Sequence, residues 1–105
     1  MKEVDRYGMA RVFEMAMAQV TKDVDGVYVS FDVDALDPTV SPGTGTTMRG
    51  GLRYREAHLF MELLHESADI AGIDMVEVNP LLDVRNQTAT IAAELITSGL
   101  GKVIF

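Results

Sequence analysis

The sequence contains no cysteine, which excludes disulfide bonds and thiolate metal sites. This absence suits a reducing cytoplasm. No apolar run approaches the ~20 residues that a helix needs to cross a bilayer, and the first residues lack the pattern of a signal peptide. We therefore expect a soluble protein of the cytoplasm.

Positive charge is scarce, because nine Lys and Arg residues stand against 16 Asp and Glu residues and leave a net charge of −7. A nucleic-acid binder carries the opposite balance, and an anionic membrane surface would repel this chain. We expect neither kind of partner. An ordinary solvated acidic surface is the first explanation for the surplus of carboxylates. The alternative is that these carboxylates attract metal ions or a cationic substrate.

The chain is also short: 105 residues, 48% of them hydrophobic, suffice for one small domain with a real core but not for two. Helical and strand patterns alternate along it. The predicted elements are a helix from about residue 9 to 22, a strand at 27–31, a helix from about 53 to 67, a strand at 71–78 and a helix from about 86 to 98. The apolar spacing places four residues of each of the last two helices inward, Leu59, Phe60, Leu63 and Leu64 in one and Thr88, Ile91, Ala92 and Leu95 in the other.

Strands separated by helices predict parallel pairing, hence an α/β fold with helices on both faces of the sheet. Two strands are few for a stable open sheet, so the chain looks like one end of a larger sheet. Residues 32–52 show no periodicity and are rich in glycine and proline, which predicts a long structured loop of the kind that often carries function.

The first predicted strand ends in an Asp-x-Asp pair, Asp32 and Asp34. Ligands of open α/β sheets bind beyond the carboxyl ends of the strands, and two-residue spacing in an extended chain points both side chains the same way. Converging carboxylates repel unless a cation joins them, and oxygen ligands favour Mg²⁺ or Mn²⁺. Loop capping explains most such pairs on their own. Asp37, before Pro38, is interpreted as a turn residue.

Glu77 ends the second predicted strand and should reach the same edge of the sheet. A carboxylate in a cleft can accept two hydrogen bonds from a guanidinium group. The alternatives are an ion pair with a nearby arginine such as Arg85, or simple solvation.

Together these segments resemble the signature of the arginase (ureohydrolase) family over nearly the whole chain. The matching segments are residues 30–34 (SFDVD), 36–38 (LDP), 42–46 (PGTGT), 50–52 (GGL) and 54–56 (YRE). Two later segments, residues 77–80 (EVNP) and 82–89 (LDVRNQTA), resemble the arginase branch, since agmatinases usually have serine in place of Asn79.

The resemblance implies an arginase-type three-layer parallel sheet with helices on both faces, of which this chain holds the carboxyl-terminal strands and helices. It implies that Asp32 and Asp34 are ligands of a dinuclear Mn²⁺ site, that Glu77 and Thr46 contact the guanidinium of the substrate, and that L-arginine is hydrolysed to L-ornithine and urea. Segment 54–56 is similar to a segment in which members of the family form ion pairs between subunits. This similarity implies a homo-oligomer, a trimer or hexamer. An ordinary solvated helix start explains that segment equally well.

The family also takes metal ligands from Gly-Gly-Asp-His and Asp-Ala-His-x-Asp segments, and this sequence contains neither. His58 and His65 fall on a predicted helix, so we interpret them as surface or packing residues. The expectation is that residues 1–105 are the incomplete carboxyl-terminal portion of an arginase domain, with no complete catalytic set and no activity alone. We expect an exposed sheet edge and exposed apolar helix surface, and as a result either self-association or a rearranged packing.

Two alternatives remain open. Another ureohydrolase (agmatinase, guanidinobutyrase or formimidoylglutamase) would share the motifs but act on a different substrate. A non-catalytic α/β interaction module would instead bind a partner through its exposed sheet edge.

Overall fold

The computed structural model of the chain describes residues 1–104, which alternate between helices and two strands. Beyond the three predicted helices there is a short first helix, and a single 3₁₀ turn follows the first strand. The elements are α1 (Lys2–Tyr7), α2 (Met9–Val20), β1 (Val27–Asp32), the 3₁₀ turn (Val33–Ala35), α3 (Tyr54–Ser67), β2 (Ile70–Val76) and α4 (Gln87–Gly99).

The two strands pair in parallel, with Val29 opposite Ile73 and Asp32 opposite Val76. Parallel neighbours need a crossover connection, and here α3 together with the long loop supplies it. The α/β class and the parallel pairing predicted from the sequence are confirmed. The second strand ends two residues earlier than predicted, so Glu77 lies just outside it.

The three longer helices pack against the same face of this sheet. Phe31, Ile73 and Met75 contact the cluster that includes Met61 of α3 and Leu95 of α4. In a second cluster, Val29 of β1 packs with Phe13 of α2 and Leu64 of α3. Successive side chains of a strand alternate between the faces, and the alternate residues of β1, Tyr28 and Ser30, are exposed. In the described part of the chain, then, one face of the sheet carries these helices.

The inner side of α4 is as predicted, with Thr88, Ile91, Ala92 and Leu95 all buried. On α3 the sequence placed Leu59, Phe60, Leu63 and Leu64 inward. The prediction is confirmed for Leu64, which is buried, and for Phe60 and Leu63, which pack partly buried against the core, but Leu59 belongs to neither core cluster. The most deeply buried residues of α3 include Ala57, His58, Met61 and Leu64. The apolar stripe is wider than the helix face that meets the core, so the spacing could not fix the rotation of the helix.

Among residues 1–104, the structure has no helix with the length and apolarity of a membrane span.

Candidate active-site edge

Three carboxylates lie at the carboxyl ends of the two strands. Asp32 is the last residue of β1, Asp34 lies in the following 3₁₀ turn, and Glu77 directly follows β2. Because Asp32 is in register with Val76, the residue next to Glu77, the sheet itself brings the two strand ends together. The structure therefore places these three sequence-predicted residues at one edge.

The extended geometry expected between Asp32 and Asp34 does not persist. The chain turns at Val33, and the backbone N–H of Asp34 donates to Oδ1 of Asp32 at 2.9 Å. An aspartate that caps a turn in this way bends the chain towards its own side chain. The pair stays close because of this cap and not because of strand alternation.

Asp34 carries an electrostatic cost at this position. Desolvation raises the pKa of its carboxyl above the ordinary value, and the negative charge of Asp32, a hydrogen bond with Asp32 and the charge of Glu77 raise it further. Each effect disfavours a second negative charge beside the first. A proton or a cation at this edge would relieve the repulsion.

An apolar cleft of about 470 Å³ adjoins Asp34. It lies between α2 and the long loop, and Met9, Phe13, Leu52 and Phe60 are among the residues that line it. The cleft agrees with the exposed apolar helix surface expected from the sequence.

The fit to a metal ion is partial. Asp32 and Asp34 offer the oxygen donors that hard divalent cations prefer. Within residues 1–104, however, no three His, Asp or Glu side chains converge as a metal site. The described chain thus holds at most part of a ligand set.

Within residues 1–104, neither histidine forms a metal-ligand cluster with the carboxylates. Nδ1 of His58 lies 2.9 Å from Oγ of Ser98, and both side chains are buried between α3 and α4. His65 is exposed near the end of α3, beside Gly101. Both positions agree with the interpretation of the two histidines as surface or packing residues.

The backbone of Glu77 is in the left-handed region, with φ of 66°. This conformation is uncommon for a residue other than glycine and is found where the surroundings impose it. The side chain is exposed, and the ion pairs of residues 1–104 are Arg11–Glu14 and Arg55–Glu62. The alternative pair between Glu77 and Arg85 is therefore not formed.

Thr46 lies on an exposed stretch of the long loop, residues 45–50, and the structure gives it no hydrogen bond to the three carboxylates. The nearby Thr44 is 3% exposed, and its hydroxyl has no partner within residues 1–104. For Thr46, unlike the three carboxylates, no hydrogen bond or strand register within residues 1–104 places the side chain at this edge.

Sequence reasoning missed the hydrogen bonds that hold this loop in place. Gly43 bonds to Thr88 and Asn79, and Asp83 binds the first amides of α4. The available signal was an aspartate shortly before a predicted helix, which is a capping pattern. The partners of Gly43, Asn79 and Thr88, are 36 and 45 residues away in the chain and leave no local pattern.

Segment 54–56 is engaged within the chain. Arg55 makes two hydrogen bonds to the carboxylate of Glu62, at 2.9 and 2.6 Å. The Glu56 side chain accepts from the backbone N–H of Arg53 at 2.8 Å, which caps the start of α3. Glu56 thus caps the start of α3, whereas Arg55 pairs with a residue two turns further along the same helix. Neither contact decides the assembly state.

Comparison with known proteins identifies the fold around this edge. The model of the "Arginase family" matches residues 1–101. The chain belongs to the arginase family. Arginase from Bacillus caldovelox is 51% identical over 102 residues, 97% of this chain and 34% of that protein. The chain therefore spans about a third of the length of this relative.

Solved structures agree with the family assignment. A crystal structure of arginase from Bacillus subtilis superposes with a TM-score of 0.94 at 45% identity and covers 99% of this chain and 37% of its own. Formimidoylglutamase from the same species reaches a TM-score of 0.89 at 28% identity, over 94% of this chain and 31% of its own. The described α/β fold is that of an arginase, over about a third of it.

Proposed function

We propose that residues 1–105 form the carboxyl-terminal portion of an arginase domain that hydrolyses L-arginine to L-ornithine and urea. The observation that carries this proposal is that Asp32, Asp34 and Glu77 lie at one edge of a parallel strand pair in a chain of the arginase family. Because the chain spans 34% of its Bacillus caldovelox relative, we attribute the activity to a complete domain and expect none from this portion alone.

In that domain Asp32 and Asp34 would hold manganese, together with ligands from outside this chain. Two bound Mn²⁺ ions would supply the nucleophile by lowering the pKa of water. Oxygen donors at this edge and the raised pKa of Asp34 support a cation there.

Glu77 would bind the substrate. Its exposed carboxylate stands beside the aspartate pair and forms no ion pair within residues 1–104. A planar guanidinium can donate two parallel hydrogen bonds to such a carboxylate, which fixes its orientation. Thr46 would lie beside the same group if the loop end closes over it in the complete domain.

A chimeric enzyme tests the function directly. Residues 1–105 replace the matching third of the Bacillus caldovelox arginase, and urea release with Mn²⁺ is measured on L-arginine, agmatine, guanidinobutyrate and formiminoglutamate. We expect turnover of L-arginine above all, and no turnover by residues 1–105 alone. Preference for another of the four substrates would move the chain to another ureohydrolase, and an inactive but folded chimera would favour a non-catalytic module.

Metal content separates ligand roles from general damage. Asp32→Ala should abolish manganese loading and activity, while Asp25→Ala, which alters an exposed aspartate before β1, should change neither. Glu77→Gln should keep the manganese and weaken substrate binding, because the neutral amide accepts fewer hydrogen bonds from a guanidinium. Full manganese content in Asp32→Ala would refute the ligand assignment.

The complete enzyme is further proposed to be a cytoplasmic homo-oligomer, a trimer or hexamer as in the family. Light scattering of the chimera measures its mass, and a monomer would count against this assembly.

A further inference from the structure

Gly43, in the middle of the long loop, forms hydrogen bonds through both its backbone N–H and its carbonyl group. Its N–H donates to Oγ1 of Thr88 at 2.7 Å, and its carbonyl accepts from the N–H of Asn79 at 2.8 Å. Thr88 lies in the first turn of α4, and Asn79 lies two residues after Glu77. Gly43 thus connects the loop to the helix and to the strand end that carries Glu77.

Asp83 braces this connection. Its carboxylate accepts from the N–H groups of Thr88 and Ala89 at 3.0 and 3.1 Å, where α4 begins and backbone donors lack partners. Burial opposes ionisation of Asp83, but the hydrogen bonds from these amides outweigh it and lower the pKa of the carboxyl. The side chain is therefore charged at neutral pH and complements the positive end of the helix dipole.

The contact between Asp83 and Gly43 leaves no room for a side chain. A Cβ atom on Gly43 would lie 2.5 Å from Cγ of Asp83 and 2.6 Å from its Cβ. Gln87 adds a second attachment one turn earlier in the loop, because its amide donates to the carbonyl groups of Thr39 and Val40, both at 2.9 Å.

We propose that Gly43, Asn79, Asp83 and Thr88, called the Gly43 clamp below, set the position of the loop at Thr44 to Thr46 relative to Glu77. This inference rests on the proposed function, since it assigns the clamp a role in substrate binding. Thr88 and Asp83 act as positioning residues. They touch the backbone of the loop at Gly43, and Thr44 to Thr46 would in turn face the substrate of the proposed function.

The clamp acts on binding more than on the chemical step. Residues 39–46 of the loop include no metal ligand assigned to this chain, and the hydrogen bond from Asn79 to Gly43 joins them to the segment that follows Glu77. When a buried hydrogen bond is lost, the loop samples other positions, and the bound geometry is populated less often. The cost then falls on KM.

Thr88→Val in the chimera is the first test, because valine keeps the shape of threonine and removes only the hydroxyl. We expect KM for L-arginine to rise about tenfold, the factor that corresponds to ~1.4 kcal/mol, with kcat changed by less than about threefold. Thr88→Ser should restore most of the affinity, and Thr90→Val, on the exposed side of the same helix, should leave both parameters unchanged.

Hydrogen exchange gives a readout that does not depend on activity. In Thr88→Val, peptides covering residues 39–46 should exchange faster while those from the second half of α4 stay protected. If Thr88→Val fails to fold, KM and hydrogen exchange can be measured instead in Asp83→Asn, which keeps the shape of the side chain.

Unchanged KM and unchanged exchange in a folded Thr88→Val chimera would overturn the clamp while leaving the arginase activity intact. An inactive parent chimera would instead contradict the proposed function. In that case faster hydrogen exchange of the loop in Thr88→Val would still show that the Gly43 clamp holds the loop in place. Unchanged exchange would refute the clamp.

Discussion

Replacement of Gly51 by alanine should disrupt the loop that follows the aspartate pair. A Cβ atom at Gly51 would lie 2.6 Å from the carbonyl carbon of Leu36, 2.7 Å from the carbonyl oxygen of Ala35 and 2.7 Å from the nitrogen of Asp37. All three are backbone atoms, so no side chain can turn away to relieve the clash. This close approach holds the parallel bridge between Leu36 and Leu52.

The magnitude follows from the distances. Ordinary van der Waals contact begins near 3.4 Å, so the two backbone segments must separate by about 0.8 Å. The bridge is held by bonds of 2.8 Å (Leu52 N–H to Ala35) and 2.9 Å (Asp37 N–H to Leu52), which such a shift would break. Two lost bonds at about 1 kcal/mol each and an overpacking cost of about 1 kcal/mol or more give ~3 kcal/mol.

Urea unfolding of the chain measures this loss. With a slope of about 2 kcal/mol per molar urea, the midpoint should fall by about 1.5 M. Gly45→Ala is the matched control, because a Cβ atom there meets nothing within 4 Å and should shift the midpoint by less than about 0.3 M. Equal midpoints for the two variants would refute the argument from close backbone approach.

Two further predictions concern stability. Hydrogen bonds from the Thr39 hydroxyl, the Thr39 amide and the Gly50 amide lower the pKa of Asp37 from 3.8 to about 2, so its charge stabilises the fold above pH ~4 and this contribution is lost as the pH falls towards 2. In Asp37→Asn the urea midpoint should therefore depend less on pH over that acid range. The same pH dependence in the variant and the parent chain would contradict the assignment. Leu95→Ala, at a fully buried position, should cost about 2–5 kcal/mol in the same assay, whereas Leu100→Ala, at a residue that is 71% exposed, should cost less than about 0.5 kcal/mol.

The elements of this fold were largely predictable, because their signals are local. Helix α4 shows its apolar positions at helical spacing, and its inner side was predicted residue by residue. The stripe of α3 was ambiguous, since more apolar residues are present than the sheet can cover, and burial of Ala57 and Met61 depended on the neighbouring elements. The short helix α1 was missed because six residues give too little periodicity.

The site was predictable in kind but not in geometry. Asp32 and Glu77 were expected at one edge because parallel strands end on the same side, and the register confirms that the strand ends meet there. The turn at Asp34 arises from a side-chain cap that competes with extended backbone, and the left-handed φ of Glu77 depends on how the chain leaves β2. Neither choice is encoded in two-residue spacing. The roles of Asp32, Asp34, Glu77 and Thr46 remain predictions.

The sequence by itself determined the family, the order of helices and strands, and the placement of carboxylates at strand ends, because motif identity and hydrophobic period are properties of neighbouring residues. Only the tertiary structure decided which helix side is buried, that the longer helices share one face of the sheet, and that Gly43 is held between Thr88 and Asn79. Those features join residues far apart in the chain, and hydrogen bonds and packing between them exist only once the segments have come together.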